Sequence, residues 1–339
     1  MKVISVTPAG RKKYLEILAP YLLKNKRYIK EHHFWLNTKN GKDIAYIESL
    51  AKKYPDFFKI NKKEIFDKEP TVNIWQYFKD CTDKNTIYIR FDDDVCFIDK
   101  DAIKDLIDYR INNLKPFLIY GNIVNNAICS YLQQQKGLIS TDWGKVSYKC
   151  LDKFGWKSSK FVDKLHRKFI LDIKSNKSGL WKMKNHTITN YQRFSINVIC
   201  WFGKDMARVP EIKLKDIRDF YKGKSWLHGE ESFLSTDLPR KMKRPNEICG
   251  MALFAHFAFT TQRTYLENLT CTLEEYKRIS GNIFSGGSLR LCELIKRINP
   301  LNQYKYLKNR YNIIPILKRR SPIIYKILRD IKKIILKQK

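Results

Sequence analysis

What this chain lacks narrows its class before any motif is read. Its eight cysteines, Cys81, Cys96, Cys129, Cys150, Cys200, Cys249, Cys271 and Cys292, stand singly with no C-x-x-C pair, which argues against a zinc site and for a reducing compartment. No uninterrupted apolar run approaches the ~20 residues that a membrane-spanning helix needs. The opening stretch Met1-Lys2-Val3-Ile4-Ser5-Val6 is too short an apolar segment for a secretory signal, so the expectation is a soluble or peripheral cytoplasmic protein. No internal repeat is present. Glycine (14) and proline (11) stay at ordinary levels and aromatics reach 13%, a globular composition, and 339 residues suffice for one large or two smaller domains. Acid is scarce: 34 Asp and Glu against 66 Lys and Arg leave a net charge of +32. Such a field draws a protein towards phosphate-rich partners, whether nucleic acid, anionic lipid headgroups, or substrates bearing pyrophosphate.

Against that scarcity, three carboxylates are adjacent in Phe91-Asp92-Asp93-Asp94, at the end of the run Thr86-Ile87-Tyr88-Ile89-Arg90. Like charges so close repel strongly where the dielectric is reduced, and a strand end that gathers them usually has a cation to neutralise them. Oxygen ligands favour Mg²⁺ or Mn²⁺ over Zn²⁺. The alternative is a solvated turn or helix cap, for which Asp is well suited. A calcium loop is not expected, because Phe97-Ile98 falls where spaced polar ligands would be needed.

Strand and helix patterns alternate through the first third of the chain. Lys2 to Thr7 reads as a strand ending in Pro8-Ala9-Gly10, with helical spacing from Arg11 through Leu15, Leu18 and Leu22. His33–Leu36 reads as a strand, Asn37–Lys42 as a polar loop, and Ile44, Ile47, Leu50 and Ala51 as a helical face. Asp56–Ile60 is expected as a strand, Asn73–Asp80 as a helix and Thr86–Phe91 as a strand. Asp99 and Asp101 are expected to cap a helix carrying Ile103, Leu106, Ile107, Ile111 and Leu114, and Pro116–Tyr120 to return as a strand. This alternation implies a parallel sheet covered by helices on both faces, with ligands beyond the carboxyl ends of its strands, where the tetrad lies. Gln133–Asn190 reads as an irregular basic insertion, followed by a strand-like Phe194–Phe202 and an apolar run from Cys249 to Phe259 that contains His256.

The D-D-D-V sequence of Asp92-Asp93-Asp94-Val95 at a strand end resembles the D-x-D motif of the GT-A glycosyltransferases. Two further features extend the likeness over roughly Lys2 to Thr261. Trp226-Leu227-His228-Gly229-Glu230-Glu231-Ser232-Phe233 is similar to their acidic element near the acceptor, although its last acidic position holds Glu. His256 stands where many of them place a further metal ligand. The resemblance implies an α/β, GT-A type fold: a Rossmann-like mixed sheet flanked by helices, with a basic insertion and a C-terminal amphipathic helical tail. It implies Asp92, Asp94 and His256 as ligands of Mn²⁺ or Mg²⁺, and Glu231 as the base that deprotonates the acceptor hydroxyl, with Glu230 in reserve. Donor contacts are expected from Thr7, Pro8, Gly10, Arg11, Asn37 and Asp43, joined by Arg90, Asp92 and Asp93. At several positions a plain alternative stands beside this: Arg11 as a surface residue, Arg90 as an ion-pair partner, Gly229-Glu230-Glu231 as an acidic helix start, and His256 as a core histidine bonded to a carbonyl. A phosphatase of the haloacid-dehalogenase type fits less well, since Cys96 occupies the position where that pattern wants Thr or Val.

Between Gln133 and Asn190, 13 Lys and Arg face 4 Asp, with Trp143, Tyr148, Trp156, Phe161 and Trp181 interleaved. Aromatic faces suit sugars and bases alike, and cations suit phosphates. From Lys296 to Lys339, 14 basic residues face one acidic residue, and Ile324, Leu328, Ile331 and Ile335 share a helical face, the pattern of a helix lying in an anionic membrane surface. The expected organisation is a nucleotide-sugar-binding half over 1–125, an acceptor half over 126–295 and a membrane-associating tail over 296–339. The expected function is transfer of sugar from a nucleotide-sugar donor, UDP-linked by default, to a glycan or lipid-linked acceptor in surface polysaccharide synthesis at the cytoplasmic face of the membrane. Nucleic acid is not the expected partner; a nucleic-acid-binding protein with a structural acidic cluster is the competing reading.

Overall fold

A computed structural model of the chain describes residues 1–65, 70–207, 219, 222 and 229–283. Their strands are β1 Lys2–Ala9, β2 Glu31–Leu36, β3 Phe58–Asn61, β4 Thr86–Phe91, β5 Val95–Ile98, β6 Ile119–Val124, β7 His186–Thr187, β8 Val198–Phe202 and β9 Glu247–His256. The helices are α1 Lys12–Lys24, α2 Gly41–Lys53, α3 Pro70–Trp75, α4 Ala102–Asn112, α5 Ala127–Gln135, α6 Ser159–Lys174, α7 Gly203–Met206, α8 Glu230–Ser232, α9 Leu238–Met242, α10 Thr260–Leu269 and α11 Thr272–Gly281. Side-chain caps set several starts. Asn40 accepts from Lys42 N–H at 2.9 Å, Asn126 from Ile128 N–H at 3.2 Å and Ser158 from Phe161 N–H at 3.2 Å, each worth about 1 kcal/mol.

The strands form one mixed sheet in the order β3-β2-β1-β4-β8-β6-β9-β5, with β7 beside β9. The α/β class and the Rossmann-like mixed sheet flanked by helices are as the sequence implies; an all-parallel sheet is not what forms. β8 is antiparallel to both β4 and β6, and β5 is antiparallel to β9. For β5 the reason lies in the acidic turn. Val95 N–H donates to Asp92 C=O at 3.1 Å, so the chain turns directly from β4 into β5 without a crossover helix. Four strand spacings of ~4.8 Å separate β4 from β5 in the sheet order, and a three-residue link reaches at most about 14 Å, so the sheet must curl to bring them together. β4, β6 and β8 are buried along their whole lengths, the mark of strands covered on both faces.

Local boundaries differ from the sequence reading where side chains compete. The third strand runs Phe58–Asn61, the strand expected from Pro116 starts at Ile119, and the Asn73–Asp80 helix is α3 followed by a 3₁₀ turn, Gln76–Asp80. Asp101 sits at the α4 cap without a side-chain bond, and Asp99 instead accepts from Ser178 Oγ at 3.0 Å and pairs with Lys182 Nζ at 3.1 Å. The basic insertion is irregular over much of its length, but its lysines hide one amphipathic helix. Phe161, Val162, Leu165, Phe169, Ile170 and Ile173 of α6 are buried, and Phe169 meets Phe97 and Trp181 edge-on at 5.1 and 4.9 Å between ring centres. Phe161 and Trp181 are thereby core residues and not sugar-stacking surfaces. Gly250 ties this insertion to β9: a Cβ there would fall 2.0 Å from Met183 C=O. The tail over 296–339, and Trp226-Leu227-His228, lie outside the described residues.

Candidate active site

The carboxyl ends of β1, β2, β4, β6 and β9 and the amino ends of β5 and β8 open on the same edge of the sheet. Register does the rest. Phe91 pairs with Val198, and one residue on, Asp92 N–H donates to Asn197 C=O at 2.8 Å. Asp92 Oδ2 accepts from Asn197 Nδ2 at 3.1 Å and Oδ1 from Arg90 Nη2 at 2.8 Å. On the far side of the turn Val95 faces His256, and Phe257 N–H donates to Asp94 C=O at 2.8 Å. His256 Nε2 therefore lies 3.2 Å from Asp94 Oδ1. Val124 of β6 faces Ala255, so the next residue, Asn125, offers its carbonyl to His256 Nδ1 at 3.3 Å. The tautomer with its proton on Nδ1 satisfies that bond and would leave Nε2 to serve a cation held at the acidic turn. Asn125 occupies the left-handed region (φ 65°), which Asn tolerates, and its Nδ2 donates to Phe257 C=O and Gln262 Oε1, both at 3.0 Å.

One ligand atom from each of Asp92, Asp94 and His256 lies within 4.8 Å of the others. Two carboxylates and an imidazole fit a divalent cation of the Mn²⁺ or Mg²⁺ kind. Arginines surround the turn. Arg11, at the start of α1, clamps Asp93 through Nε and Nη2, and Nη2 also reaches Asp94 Oδ2 at 3.1 Å. Arg263, in the first turn of α10, donates to the same Oδ2 at 3.2 Å. Burial pushes the Asp94 carboxyl up, but Arg11, His256 and Arg263 outweigh it and hold it well below the usual carboxylate range. At Asp92 and Asp93 burial wins, and both are raised despite Arg90 and Arg11 respectively.

Across the cleft, Gly229 leads into Glu230 and Glu231. Glu230 is buried, pairs with Arg90 Nη2 at 3.1 Å and leaves Oε2 without a partner among the described residues; burial pushes it up to about 7 against the pull of Arg90. Arg90 thus links the acidic turn to the second acidic element. Glu231 is 24% exposed, and its Oε1 accepts from both Nε and Nη2 of Arg193 at 2.7 Å.

Together these side chains line a cleft of about 680 Å³, within the size range of small-molecule sites. Of the residues singled out in the sequence, Pro8, Gly10, Arg11, Asn37, Arg90, Asp92, Asp93, Asp94, Glu230, Glu231 and His256 line it. Gly10 allows the ends of β1 and β2 to close on each other, since a Cβ would fall 2.9 Å from Asn37 C=O. Thr7 and Asp43 are not on its wall. Thr7 is fully buried in β1, and Asp43 caps α1 by accepting from Lys12 N–H at 2.9 Å. Of the five insertion aromatics, Trp156 is the one that reaches the cleft, beside Phe259 with ring centres 6.0 Å apart. Sequence reading did not single out Asn125, Arg193, Asn197 or Arg263. Asn125-Asn126 after an apolar run was a legible turn and cap signal, and Arg263 stands seven residues past His256, but nothing in a single sequence marks Arg193 or Asn197.

No family model matches this sequence, and no curated protein does. Among solved structures, the chain is similar to a CMP:2-keto-3-deoxy-manno-octonic acid synthetase complexed with CTP, at 8% identity and TM-score 0.40, over 83% of this chain and 99% of that one. It is similar to 4-diphosphocytidyl-2C-methyl-D-erythritol synthase from Anaerococcus prevotii, at 10% identity and TM-score 0.36, over 84% of this chain and 98% of that one. A mannose-1-phosphate geranyltransferase from Thermus thermophilus matches at 9% identity and TM-score 0.38, over 75% of each chain. At these values no activity passes from them to this chain.

Proposed function

We propose that this protein is a metal-dependent glycosyltransferase that moves a sugar from a nucleoside-diphosphate sugar to a hydroxyl of a glycan or lipid-linked acceptor. The convergence of Asp92, Asp94 and His256 opposite Glu230 and Glu231 in one cleft carries this reading. The three residues would hold Mn²⁺ or Mg²⁺, which when bound offsets charge on the departing diphosphate. Glu231 accepts the acceptor's proton: it is the exposed member of the acidic pair, and Arg193 holds one of its oxygens, which orients the other. As the acceptor oxygen bonds to the anomeric carbon, the bond from that carbon to the diphosphate oxygen breaks, the proton passes to Glu231, and the nucleoside diphosphate leaves. Glu230, buried on Arg90, positions the acidic turn. Pro8, Gly10 and Asn37 form the wall on which the nucleoside would rest.

The carboxylate pair favours glycosyl over nucleotidyl transfer. A sugar phosphate attacking a nucleotide is already anionic at neutral pH and needs no proton acceptor, whereas a sugar hydroxyl does. A UDP donor, a surface-polysaccharide acceptor and a cytoplasmic membrane face rest on the family resemblance and on the basic sequence over 296–339. The deciding experiment supplies UDP-, GDP-, CMP- and dTDP-sugars with Mn²⁺ to wild type and Asp94→Asn, alongside nucleoside triphosphates with sugar 1-phosphates. Release of free nucleotide in the first arm, lost in Asp94→Asn, is expected. Pyrophosphate release in the second arm alone would replace this reading with nucleotidyl transfer.

A further inference from the structure

Asp94 holds two arginines that it cannot keep unchanged once it ligates a metal. Its Oδ2 receives Arg11 at 3.1 Å and Arg263 at 3.2 Å, and its Oδ1 faces His256 at 3.2 Å. A divalent ion on Asp94 would set a double positive charge against both guanidinium groups, a strong repulsion in a buried site. The two arginines are not held alike. Arg11 is anchored elsewhere, with Nε bonded to both oxygens of Asp93 at 3.1 and 3.0 Å. Among the described residues Arg263 hydrogen-bonds, besides Asp94, one carbonyl, that of Ala258 at 3.2 Å; its Nε has no hydrogen-bond partner there, and it stands 28% exposed on the cleft wall.

We propose that Arg263 is an exchangeable cation: it neutralises Asp94 in the metal-free protein and moves to the donor's diphosphate when Asp94 takes the metal. This rests on the site reading given above and extends it to the order of binding. Four arginines face five carboxylates along the cleft, so a divalent ion turns a nearly neutral surface positive and readies it for a polyanion. A guanidinium fork suits phosphate oxygens, and the partner it loses on Asp94 is replaced by one of the same charge. Metal and nucleoside diphosphate must then bind cooperatively, each strengthening the other by the same factor.

Calorimetric titrations of Mn²⁺ alone, and of UDP, GDP, CDP and dTDP with and without Mn²⁺, test this in wild type and Arg263→Ala. In wild type, Mn²⁺ is expected to tighten the preferred nucleotide by at least about fivefold. In Arg263→Ala, Mn²⁺ alone binds more tightly, because its competitor on Asp94 is gone, while nucleotide in the presence of Mn²⁺ binds more weakly and the coupling falls towards unity. Tighter metal binding cannot arise from a damaged fold, so the signature is specific. Unchanged or weaker Mn²⁺ binding by Arg263→Ala, or unchanged coupling, overturns the exchange and leaves the site reading standing. Failure of wild type to bind any of the four nucleotides in a Mn²⁺-dependent way overturns both.

Discussion

His256 Nε2 lies 3.2 Å from Asp94 Oδ1 because Val95, the residue after Asp94, is the antiparallel partner of His256 in the sheet. The contact is a property of register. A one-residue slip between β5 and β9 would turn the imidazole to the opposite face of the sheet. The register of β6 on the other side of β9 sets Asn125 C=O against Nδ1, so two strand alignments together fix the position of the histidine.

Replacing a member of this set removes a ligand without removing its support. Asp92→Asn, Asp94→Asn and His256→Gln are each expected to weaken Mn²⁺ binding by at least about tenfold and to lower turnover about 10²–10³-fold. Mn²⁺ titration followed by electron paramagnetic resonance checks the first, and nucleotide release the second. Wild-type Mn²⁺ affinity in all three variants would dissolve the metal assignment.

Glu231 and Glu230 are neighbours with different duties. Glu231→Gln should lower turnover by about 10²–10⁴-fold with donor affinity unchanged, the mark of a lost proton acceptor. Glu230→Gln should stay within about tenfold of wild type, since its oxygens are turned from solvent and one of them is held by Arg90. The reverse ranking, measured by initial rates at saturating donor, would move the base to Glu230.

Arg90 is buried between Asp92 and Glu230, at 2.8 and 3.1 Å. Arg90→Met strands both carboxylates and is expected to cost about 3 kcal/mol of stability in urea denaturation. Adding Glu230→Gln should recover part of that loss. If the double variant is less stable than Arg90→Met alone, the pairing is not what Arg90 supplies.

His166 of α6 sits beneath the site: its Nε2–H donates to Phe257 C=O at 2.9 Å, and Tyr276 O–H donates to its Nδ1 at 2.8 Å. Burial lowers its pKa from 6.5 to about 4. Between those values the unfolded chain binds a proton that the folded one refuses, so this residue's contribution is intact above pH 6.5 and lost as pH falls towards 4, by up to about 3 kcal/mol. The stability difference between wild type and His166→Gln, followed from pH 7 to 4, isolates this residue from carboxylates that titrate in the same window. A difference that does not change with pH would contradict a neutral buried imidazole.

Much of this was legible in sequence because it is local. Apolar periodicity located β1, β2, β4, α1 and α2, and the incompatibility of three adjacent carboxylates with burial marked Asp92-Asp93-Asp94 as a place that needs positive charge. A helix such as α6 was obscured because lysines recur along it, although its buried face keeps helical spacing. The antiparallel entry of β8 was not legible, since its direction is decided by β4 and β6, partners far along the chain.

The sequence by itself determined the class of the fold, the acidic turn and the second acidic element, because backbone propensity and charge repulsion act over a few residues. The tertiary structure alone decided which side chains answer those charges. Curling of the sheet set Arg11, Arg263 and His256 on Asp94 and Arg90 on Glu230, since electrostatic pairing depends on distance in space and not on separation along the chain.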